Sequence, residues 1–302
     1  HIKTVKDISF HDTQDRKNIV FSNTHPYSAI SQLTSDSISS SQQQPGYYFF
    51  ENLDGFHYKN IENMAEGPIV WDYQVDDTGA ADITLKDGPR DYDLEMHTIL
   101  VHKMNHPDRS MDIRSGALGS TLIVHDIFNK QFKIKKYNST DNFNKEIHVG
   151  KKGSKSIPVP NLPGLDLPEN LSRIYYRPMS VKVPDGKSDL KGTNGLYSGK
   201  HKLPVSLEDV KLQQRDSQRH QLSESFNLEI TVHGNTFIRV GDIVKIKMLK
   251  ASELDNELTR EALDNFYKGN FLITKIQHKF LRHDMSHLML MSLVRDSIPI
   301  EN

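Results

Sequence analysis

The pattern of apolar and polar residues in the last quarter of the chain is typical of β-strands. Leu228, Ile230 and Val232 occupy every second position, and further apolar runs follow at 269–280 and 287–296. A period of two residues is typical of β-strands with one buried face. Short strands that recur at this spacing predict a small antiparallel β-barrel.

Two turn signals lie close together between Val232 and Leu249. Gly234 and Asn235 tolerate positive φ angles, and Gly241 with Asp242 forms a second turn signal. Two turns so close together predict a sharp corner of the kind that small barrels need. Eight apolar residues of the surrounding strands are expected in the core, or alternatively in an interface: Leu228, Ile230, Val232, Val244, Ile246, Leu272, Ile273 and Leu290.

The first part of the chain predicts a helix and then a hairpin. The helix is expected within residues 24–40, with Thr24 as the N-cap and Pro26 in the first turn. An aromatic strand at Tyr47 to Phe50 follows, and Asp54-Gly55 supplies a hairpin turn. The returning strand is expected to contain three apolar residues: Phe56, Tyr58 and Ile61.

The middle of the chain contains three further candidate elements. Residues 93–103 fit a strand or a short helix, and residues 120–137 predict a strand pair. Residues 206–225 are polar helix formers. Their sequence "SLED" resembles a capping box, in which Ser206 is the cap and Asp209 replaces the usual Glu. A helix is therefore predicted there.

Two segments are expected to connect these elements. Residues 151–204 contain seven of the thirteen prolines, which predicts an extended, irregular segment. A loop of this length is unusual inside a compact domain, so it is interpreted as an interaction arm or an insertion packed against a neighbour. Residues 254–266 are expected to form a helical connection between barrel strands.

Composition narrows the class of protein. A chain of 302 residues predicts two domains, or one domain with large insertions. Only 36% of the residues are hydrophobic, which suits an elongated or oligomer-forming protein, and the net charge of -1 gives no overall attraction to nucleic acid or membrane. The basic run within 130–155 is interpreted as an ordinary solvated face. Zero cysteines exclude disulfides, thiolate catalysis and Cys-ligated zinc, and this suits assembly in a reducing cytoplasm.

Candidate chemistry in the sequence is weak. His283 and His287 have the spacing of a helical zinc pair but are predicted in a turn, and alternation would place His97 and His102 on opposite faces of a strand, near His106. The glycines near 195–201 do not match a phosphate loop, and the sequence has no G-x-S-x-G or H-E-x-x-H motif. No catalytic, cofactor-binding or metal-binding residue is predicted, and a protein without enzymatic activity is expected.

The order of these motifs resembles a known family. The stretch "ITVHGNTFIRVGDIVKIKM", followed by "YKGNFLITKIQHKF" and "HLMLMSLVRD", is similar to the C-terminal barrel of phage baseplate hub proteins. "NTHPYSAISQL", followed by "GYYFFENLDGFHYKNIENM", resembles the middle domain of that family, and "TLIVHDIFNKQFKIKKY" resembles its central strand pair. The resemblance covers most of the chain except residues 151–204.

The resemblance implies a fold class and a division into domains. The class is α+β and mostly β, with a small antiparallel, tube-like β-barrel domain and an α/β middle domain. The middle domain would comprise residues 1–85 with 141–204, and the barrel residues 86–140 with 205–302. Family members begin with a further barrel, whereas this chain begins at the middle domain. With two barrels in each subunit, a trimer has six barrel-like units, which match the sixfold tail tube. Either such a barrel precedes His1, or this match does not apply here.

The resemblance also implies a function and partners. A homotrimeric baseplate hub joins the central spike to the sixfold tail tube or its initiator, and its barrel edges would pair with neighbouring subunits. Wedge and tape-measure proteins are further expected partners, and residues 151–204 would contact the spike or a wedge protein. Neither specific nucleic-acid binding nor a membrane anchor is expected. The protein would be located in the virion baseplate, after assembly in the host cytoplasm.

A second hypothesis is a carbohydrate-binding or hydrolytic tail component. Trp71 and the clustered tyrosines could present platforms for sugar rings. The simpler interpretation places them in the core. Glycan binding by a monomer would favour this hypothesis, and ring assembly would favour the hub.

Overall fold

The strands and helices account for most of the residues that the structure describes. The computed structural model describes residues 5–14, 19–41, 43–75, 92–105, 118–126, 131–151, 154–156, 173–178, 207–224, 226–248, 268–283 and 285–298. The strands are β1 (Asp7–Phe10), β2 (Tyr47–Glu51), β3 (Gly55–Asn60), β4 (Ile69–Val75), β5 (Thr98–Asn105), β6 (Gly119–Asp126), β7 (Gln131–Asn138), β8 (Lys155–Ser156), β9 (Arg173–Pro178), β10 (Phe226–His233), β11 (Ile243–Lys247), β12 (Gly269–Leu281), β13 (Ser286–Arg295) and β14 (Ser297–Ile298). The helices are α1 (Pro26–Asp36), α2 (Ile61–Ala65), α3 (Tyr92–His97), α4 (Ser139–Asn142) and α5 (Leu207–Glu224), and a 3-10 turn spans Phe143–Lys145.

A closed six-stranded barrel confirms the main prediction from the sequence. Its strand order is β10-β13-β12-β11-β4-β5, and β5 pairs back onto β10. The pairs among β10 to β13 are antiparallel, as expected. Strand β4, however, is parallel to both of its neighbours, β11 and β5. The connection from β4 to β5, residues 76–97, is long enough for the crossover that parallel neighbours require.

Alternating side chains of the barrel strands form the main core. The burial of β10 alternates along its length, and Leu228, Ile230 and Val232 are at most 2% exposed. Seven of the eight predicted core residues are buried. The exception is Leu290, which is 38% exposed because its neighbours Met289 and Met291 point inward on the alternating strand.

A second apolar cluster joins the outside of the barrel to the helices. Ile243, Leu272 and Val294 are buried and pack with residues of α2 and α5. Leu222 of α5 is 5% exposed and belongs to the same cluster. Both sides of the wall formed by β11, β12 and β13 therefore contribute to stability. This explains why these strands read as nearly continuous apolar runs.

Two segments lie in sheets other than those predicted. Strand β4 was expected in the middle domain but belongs to the barrel, and β6 and β7 were expected in the barrel but form a separate sheet of order β7-β6-β9. The reason is the buried face of β6, where Leu122 and Val124 are fully buried on the side that packs towards α5. The domain ranges as a whole remain a prediction.

The predicted irregular segment 151–204 contains two short strands among its described residues. β9 pairs in parallel with β6, and β8 pairs with β14. Parallel pairing with a strand 53 residues earlier, as between Ser120 and Arg173, leaves no local sequence signal, so this part of the prediction is wrong. The predicted connecting helix at 254–266 lies outside the described residues.

The N-terminal elements follow the sequence closely. The hairpin of β2 and β3 is confirmed, and β1 adds a parallel third strand. The returning strand ends at Asn60, because the Asn60 side chain accepts a hydrogen bond from Asn63 N and caps α2, so Ile61 begins a helix. Helix α1 begins at Pro26, as expected. Its N-cap is His25 and not Thr24, since His25 Nδ1 accepts from Tyr27 N at 3.3 Å.

Two further predictions concern the local structure of residues 93–103 and of residues 206–225. The segment 93–103 contains both alternatives in succession, since α3 leads directly into β5. Helix α5 confirms the predicted helix, and it lies against β6, β7 and the barrel strands β10 and β13. It therefore holds the separate sheet beside the barrel.

Candidate functional site

The separate sheet β7-β6-β9 has an apolar face that is exposed to solvent. We call this the open sheet face. It contains Phe132 and Ile134 of β7 and Ile174 and Tyr176 of β9, which are between 53% and 66% exposed. The register brings these side chains together, because Ile123 of β6 lies opposite both Ile134 and Tyr176. The open sheet face is thus one continuous surface across three strands.

The opposite face of the same sheet is firmly attached to α5. Gln213 Nε2 donates to both the carbonyl and the hydroxyl oxygen of Ser120 at 2.9 Å. Tyr175 Oη donates to Asp216 Oδ2 at 2.8 Å, and burial raises the pKa of Tyr175. A rigid support of this kind is what a binding surface needs, because little conformational freedom is then lost on binding.

The size of the open sheet face indicates an interaction surface. Its four exposed large side chains present on the order of 500 Å² of apolar surface, since a large aromatic side chain alone can bury 150–250 Å². Contiguous apolar patches above a few hundred Å² are rare on monomeric proteins and mark interaction sites. Single exposed hydrophobic residues would carry no such meaning.

A second apolar surface lies on the N-terminal sheet. We call it the β1 face. Ile8 and Phe10 of β1 are 66% and 67% exposed, and they lie opposite Phe56 and Tyr58 of β3. Tyr27 of α1 is also exposed and lies near this sheet, with its ring centroid 6.3 Å from that of Phe49. The chain therefore carries two different apolar surfaces, on two different sheets.

The N-terminal hairpin packs against the outside of the barrel at the second predicted turn. Gly241 has a φ of +92°, and a Cβ built on it would lie 2.8 Å from Cζ of Phe50. Gly241 N donates to Ile273 O at 2.9 Å, and Arg239 Nε donates to Asp54 Oδ2 at 3.1 Å across the contact. The turn at Gly241 therefore forms a corner of the barrel and also contacts the Phe50 ring.

A largely apolar groove of about 540 Å³ runs beside this contact. Its walls come from the aromatic strand β2, from the end of α5 and from the outer side of β12 and β13. Tyr48 contributes one wall, and the guanidinium of Arg219 lies 5.0 Å from the centre of its ring.

A buried polar cluster connects α2, α5 and the segment after β7. Tyr137 Oη donates to Glu146 Oε1 at 2.9 Å, and Gln218 Nε2 donates to both Glu146 and Glu62, at 3.1 Å and 3.3 Å. Burial raises the pKa of Glu62 to about 7, and burial also raises the pKa of Glu146. These groups are internal supports, since Glu62 is 1% exposed.

A histidine in the same region ties the segment after β7 to the end of β13. His148 Nδ1 hydrogen-bonds Asp296 Oδ2 at 2.8 Å, and His148 Nε2 donates to Phe143 O at 2.9 Å. Burial lowers the pKa of His148, but the hydrogen bond and charge of Asp296, the hydrogen bond to Phe143 O and the charge of Glu146 together outweigh burial and leave the pKa raised. The arrangement favours an ion pair with a structural role.

One end of the barrel carries a pair of histidines. His278 Nδ1 lies 3.0 Å from His287 Nε2, and the ring of His287 stacks on Phe280 with centroids 4.2 Å apart. A Cβ on Gly234 would lie 2.1 Å from the His287 ring, so the first predicted turn provides the space for this ring. Burial, and then the neighbouring His287, lower the pKa of His278. We call this site the barrel mouth.

The histidines that the sequence singled out are arranged differently. His283 lies in the turn before β13, as predicted, but the prediction of a turn was wrong for His287, which lies on β13 and contacts His278. His97 ends α3, stacks on Trp71 with centroids 4.5 Å apart and lies 3.1 Å from Asp72 Oδ1. His102 is exposed on β5, and His106 lies outside the described residues. Across the described ranges, no group of three or more His, Asp or Glu side chains is placed to hold a metal ion.

The residues behind the carbohydrate hypothesis are mostly internal. Trp71 is partly buried against the barrel core, and Tyr47 and Tyr73 are at most 1% exposed. Tyr27 and Tyr176 are exposed, but they belong to the β1 face and the open sheet face, respectively. The sequence could not locate either surface, because both depend on which strands pair.

Comparisons with known proteins add little to these observations. No protein-family model matches the chain, and no curated protein matches it. Among solved structures, a 43 kDa tail protein of prophage MuSo2 from Shewanella oneidensis aligns with a TM-score of 0.42 and 10% sequence identity, over 96% of this chain and 61% of that chain. The chain thus spans about three fifths of the length of that protein. A likeness at this level identifies neither a family nor a function. The described helices include none that is long and apolar enough to cross a membrane.

Proposed function

We propose that this protein is a non-enzymatic structural component of a phage tail, a homotrimeric baseplate hub that joins the central spike to the tail tube. The sequence resemblance supports this proposal, and so does the closed barrel on which its most specific motifs lie. The observation that carries it is the presence of two different apolar surfaces on separate sheets of one chain.

Two different surfaces are what a ring requires. A head-to-tail interface uses one surface of each subunit and another surface of the next, and it forms a closed ring when the rotation closes. A two-fold dimer would need only one self-complementary surface. In the proposed ring, the open sheet face of one subunit packs on the β1 face of the next, each burying apolar area that is exposed in the monomer.

The closed barrel changes one expectation. The six barrel strands close into a ring of pairs within the chain, so fewer edges are left for a neighbouring subunit than an open sheet would offer; β4 and β5 are joined only at Gln74–Thr98 and Val75–Ile99. Contacts between subunits would instead use the two sheets outside it. The barrels of the three subunits would together surround the axis that continues the tail tube, with the spike, wedge and tape-measure proteins as further partners in the virion.

The decisive experiment is a mass measurement of the purified protein by light scattering, alone and mixed with its spike partner. The chain has a mass of 34.6 kDa, so a trimer would weigh about three times as much. A trimer, alone or on mixing, supports the hub. A monomer under both conditions overturns it, and glycan binding by that monomer would support the carbohydrate-binding alternative.

A further inference from the structure

The barrel mouth places two imidazole nitrogens at the spacing of metal ligands. His278 Nδ1 and His287 Nε2 are 3.0 Å apart. Zn²⁺ binds histidine nitrogens at about 2.0–2.1 Å. Two such bonds that meet at an angle between 90° and the tetrahedral value separate their nitrogens by roughly 2.9–3.4 Å. The observed separation falls within this interval.

The two histidines come from neighbouring antiparallel strands, which are paired from Leu272–Val294 to Leu281–Ser286 with one register shift between Ile273 and Lys275. His278 of β12 lies opposite Met289, and Phe280 lies opposite His287 of β13, so the histidines are diagonal neighbours on one face of the hairpin. That face continues the inward row of Met289 and Met291, which are buried. The backbone of a closed barrel therefore sets the distance between the two side chains.

The His287 ring is held in place on two sides. Phe280 stacks on it at 4.2 Å with an angle of 17° between the ring planes, and the backbone of Gly234 lies directly against it. Gly234 N also donates to His287 O at 2.8 Å, which fixes the strand at this point. A ligand that is already oriented loses little freedom when a metal binds.

We propose that the barrel mouth binds one divalent transition-metal ion through His278 Nδ1 and His287 Nε2. Both side chains are partly exposed, so water completes the coordination. Imidazole suits Zn²⁺, Cu²⁺ and Ni²⁺, and the general order of affinity places Cu²⁺ first. The ion replaces the hydrogen bond between the rings. The proton of that bond moves to the other nitrogen of the same ring, so a neutral pair releases no proton.

A bound ion at this place would link β12 to β13 where the hairpin extends to Leu281 and Ser286. The site needs only the described residues of one subunit, and so it does not depend on the proposed ring. Its predicted effect is local: the ion stabilises the folded protein, because the unfolded chain does not hold the two histidines together.

The test is isothermal titration of the full chain with Cu²⁺ and with Zn²⁺, comparing wild type with His278→Gln and His287→Gln. His102→Gln is the matched control, since His102 is an exposed histidine on another barrel strand. We expect a one-equivalent site in wild type and in the control, and an affinity at least tenfold lower in each of the two site variants. Cu²⁺ electron paramagnetic resonance should show nitrogen coupling from two imidazoles in wild type and from one in either variant.

Equal binding by wild type and both site variants would overturn the proposal, because the remaining histidines would then account for the binding. Loss of binding in His102→Gln alone would overturn it as well. Thermal unfolding without metal checks that each variant is folded. If His287→Gln is unstable because the ring leaves Gly234, His278→Gln alone decides the question.

Discussion

Single residues at the two glycine turns connect distant parts of the chain. Gly234 and Gly241 both look like simple turn residues in the sequence, yet each lies under a ring from another strand: His287 over Gly234 and Phe50 over Gly241. A side chain at either position would displace that ring. The turns are thus close-approach positions as well as corners.

Replacement of Gly241 by Ala tests this at the residue scale. The new Cβ would lie 2.8 Å from the Phe50 ring, at a φ of +92° that non-glycine residues rarely adopt. We expect a loss of about 1–3 kcal/mol in the free energy of unfolding, measured in urea. In a Phe50→Leu background, the part of this loss that comes from the clash with the ring should shrink. The part that comes from the positive φ angle should remain. Unchanged stability of the single variant would contradict the contact.

Glu62 predicts a pH dependence of stability. Its folded-state pKa is raised from 4.5 to about 7, so between these values the folded chain binds more protons than the unfolded chain. Stability from this group is therefore greatest at low pH and falls as the pH rises from about 4.5 to 7. Glu146 acts in the same direction, and Gln218 donates to both carboxyls.

The matching variant is Glu62→Gln, which keeps a hydrogen-bond acceptor for Gln218. It should be more stable than wild type at pH 8, by on the order of 2–3 kcal/mol, and close to wild type near pH 4.5. Urea unfolding at several pH values measures this. Glu51→Gln, at an exposed carboxyl that pairs with Lys6, is the control and should leave the slope unchanged. If the stability of Glu62→Gln falls with rising pH as steeply as that of wild type, the Glu62 carboxyl does not govern the pH response.

At the scale of elements, the sheet β7-β6-β9 is the clearest case of a structure made by non-local pairing. Its two-strand part could be predicted from alternation in residues 120–137, but β9 could not. Once β9 joins, two apolar residues of each outer strand lie on one surface. Attachment of the other surface to α5 leaves the open sheet face available for a partner.

Substitution on the open sheet face should weaken assembly without unfolding the subunit. Ile174→Lys places a charge at a position that is 66% exposed, so the folded monomer loses little stability. In an apolar interface, however, the same charge would be buried without a partner, which is costly. We expect a clear shift from trimer to monomer in light scattering. Phe237→Lys is the control, because Phe237 is 83% exposed and lies outside both apolar surfaces. An unchanged mass for Ile174→Lys would exclude this face from the interface.

The Pro-rich segment can be tested in the same way. Deletion of residues 157–168, which lie between β8 and β9 in the sequence, should weaken capture of the spike or a wedge protein in a pull-down. The thermal unfolding of the barrel should stay within a few degrees of wild type, since the barrel strands lie elsewhere. Melting of the whole protein on deletion would instead identify the segment as structural.

At the scale of the whole molecule, the barrel is the element on which the others pack. Its inner face forms the main core, its outer face at β11 to β13 holds α2 and α5, and α5 in turn holds the separate sheet. The two apolar surfaces therefore have a common rigid support. In the proposed ring, assembly would stabilise the folded subunit by mass action.

The coupling between assembly and folding gives a prediction for the whole protein. If folded subunits form a trimer, the midpoint of thermal unfolding should rise with protein concentration, because only folded subunits associate. Wild type should show a higher midpoint at tenfold higher concentration, and Ile174→Lys should show a smaller change. A midpoint independent of concentration in wild type would argue for a monomer.

The sequence by itself determined the local elements. The alternation of β10, the β2–β3 hairpin, the β6–β7 pair and helix α5 were all predictable, because each depends on side chains within a few positions of one another. Seven of the eight predicted core residues are buried, although Leu272 and Ile273 are consecutive and face opposite sides of the barrel wall. The histidines of the barrel mouth were singled out only in part, since His287 was considered with His283 and not with His278.

Tertiary structure alone decided the contacts that go beyond the predicted hairpins. The parallel place of β4 in the barrel, the addition of β9 to β6, and the approach of His278 to His287 each join residues through backbone hydrogen bonds. Such bonds are the same for every residue type, and therefore leave no trace in local sequence. The apolar surfaces and the metal-binding distance both arise from these pairings.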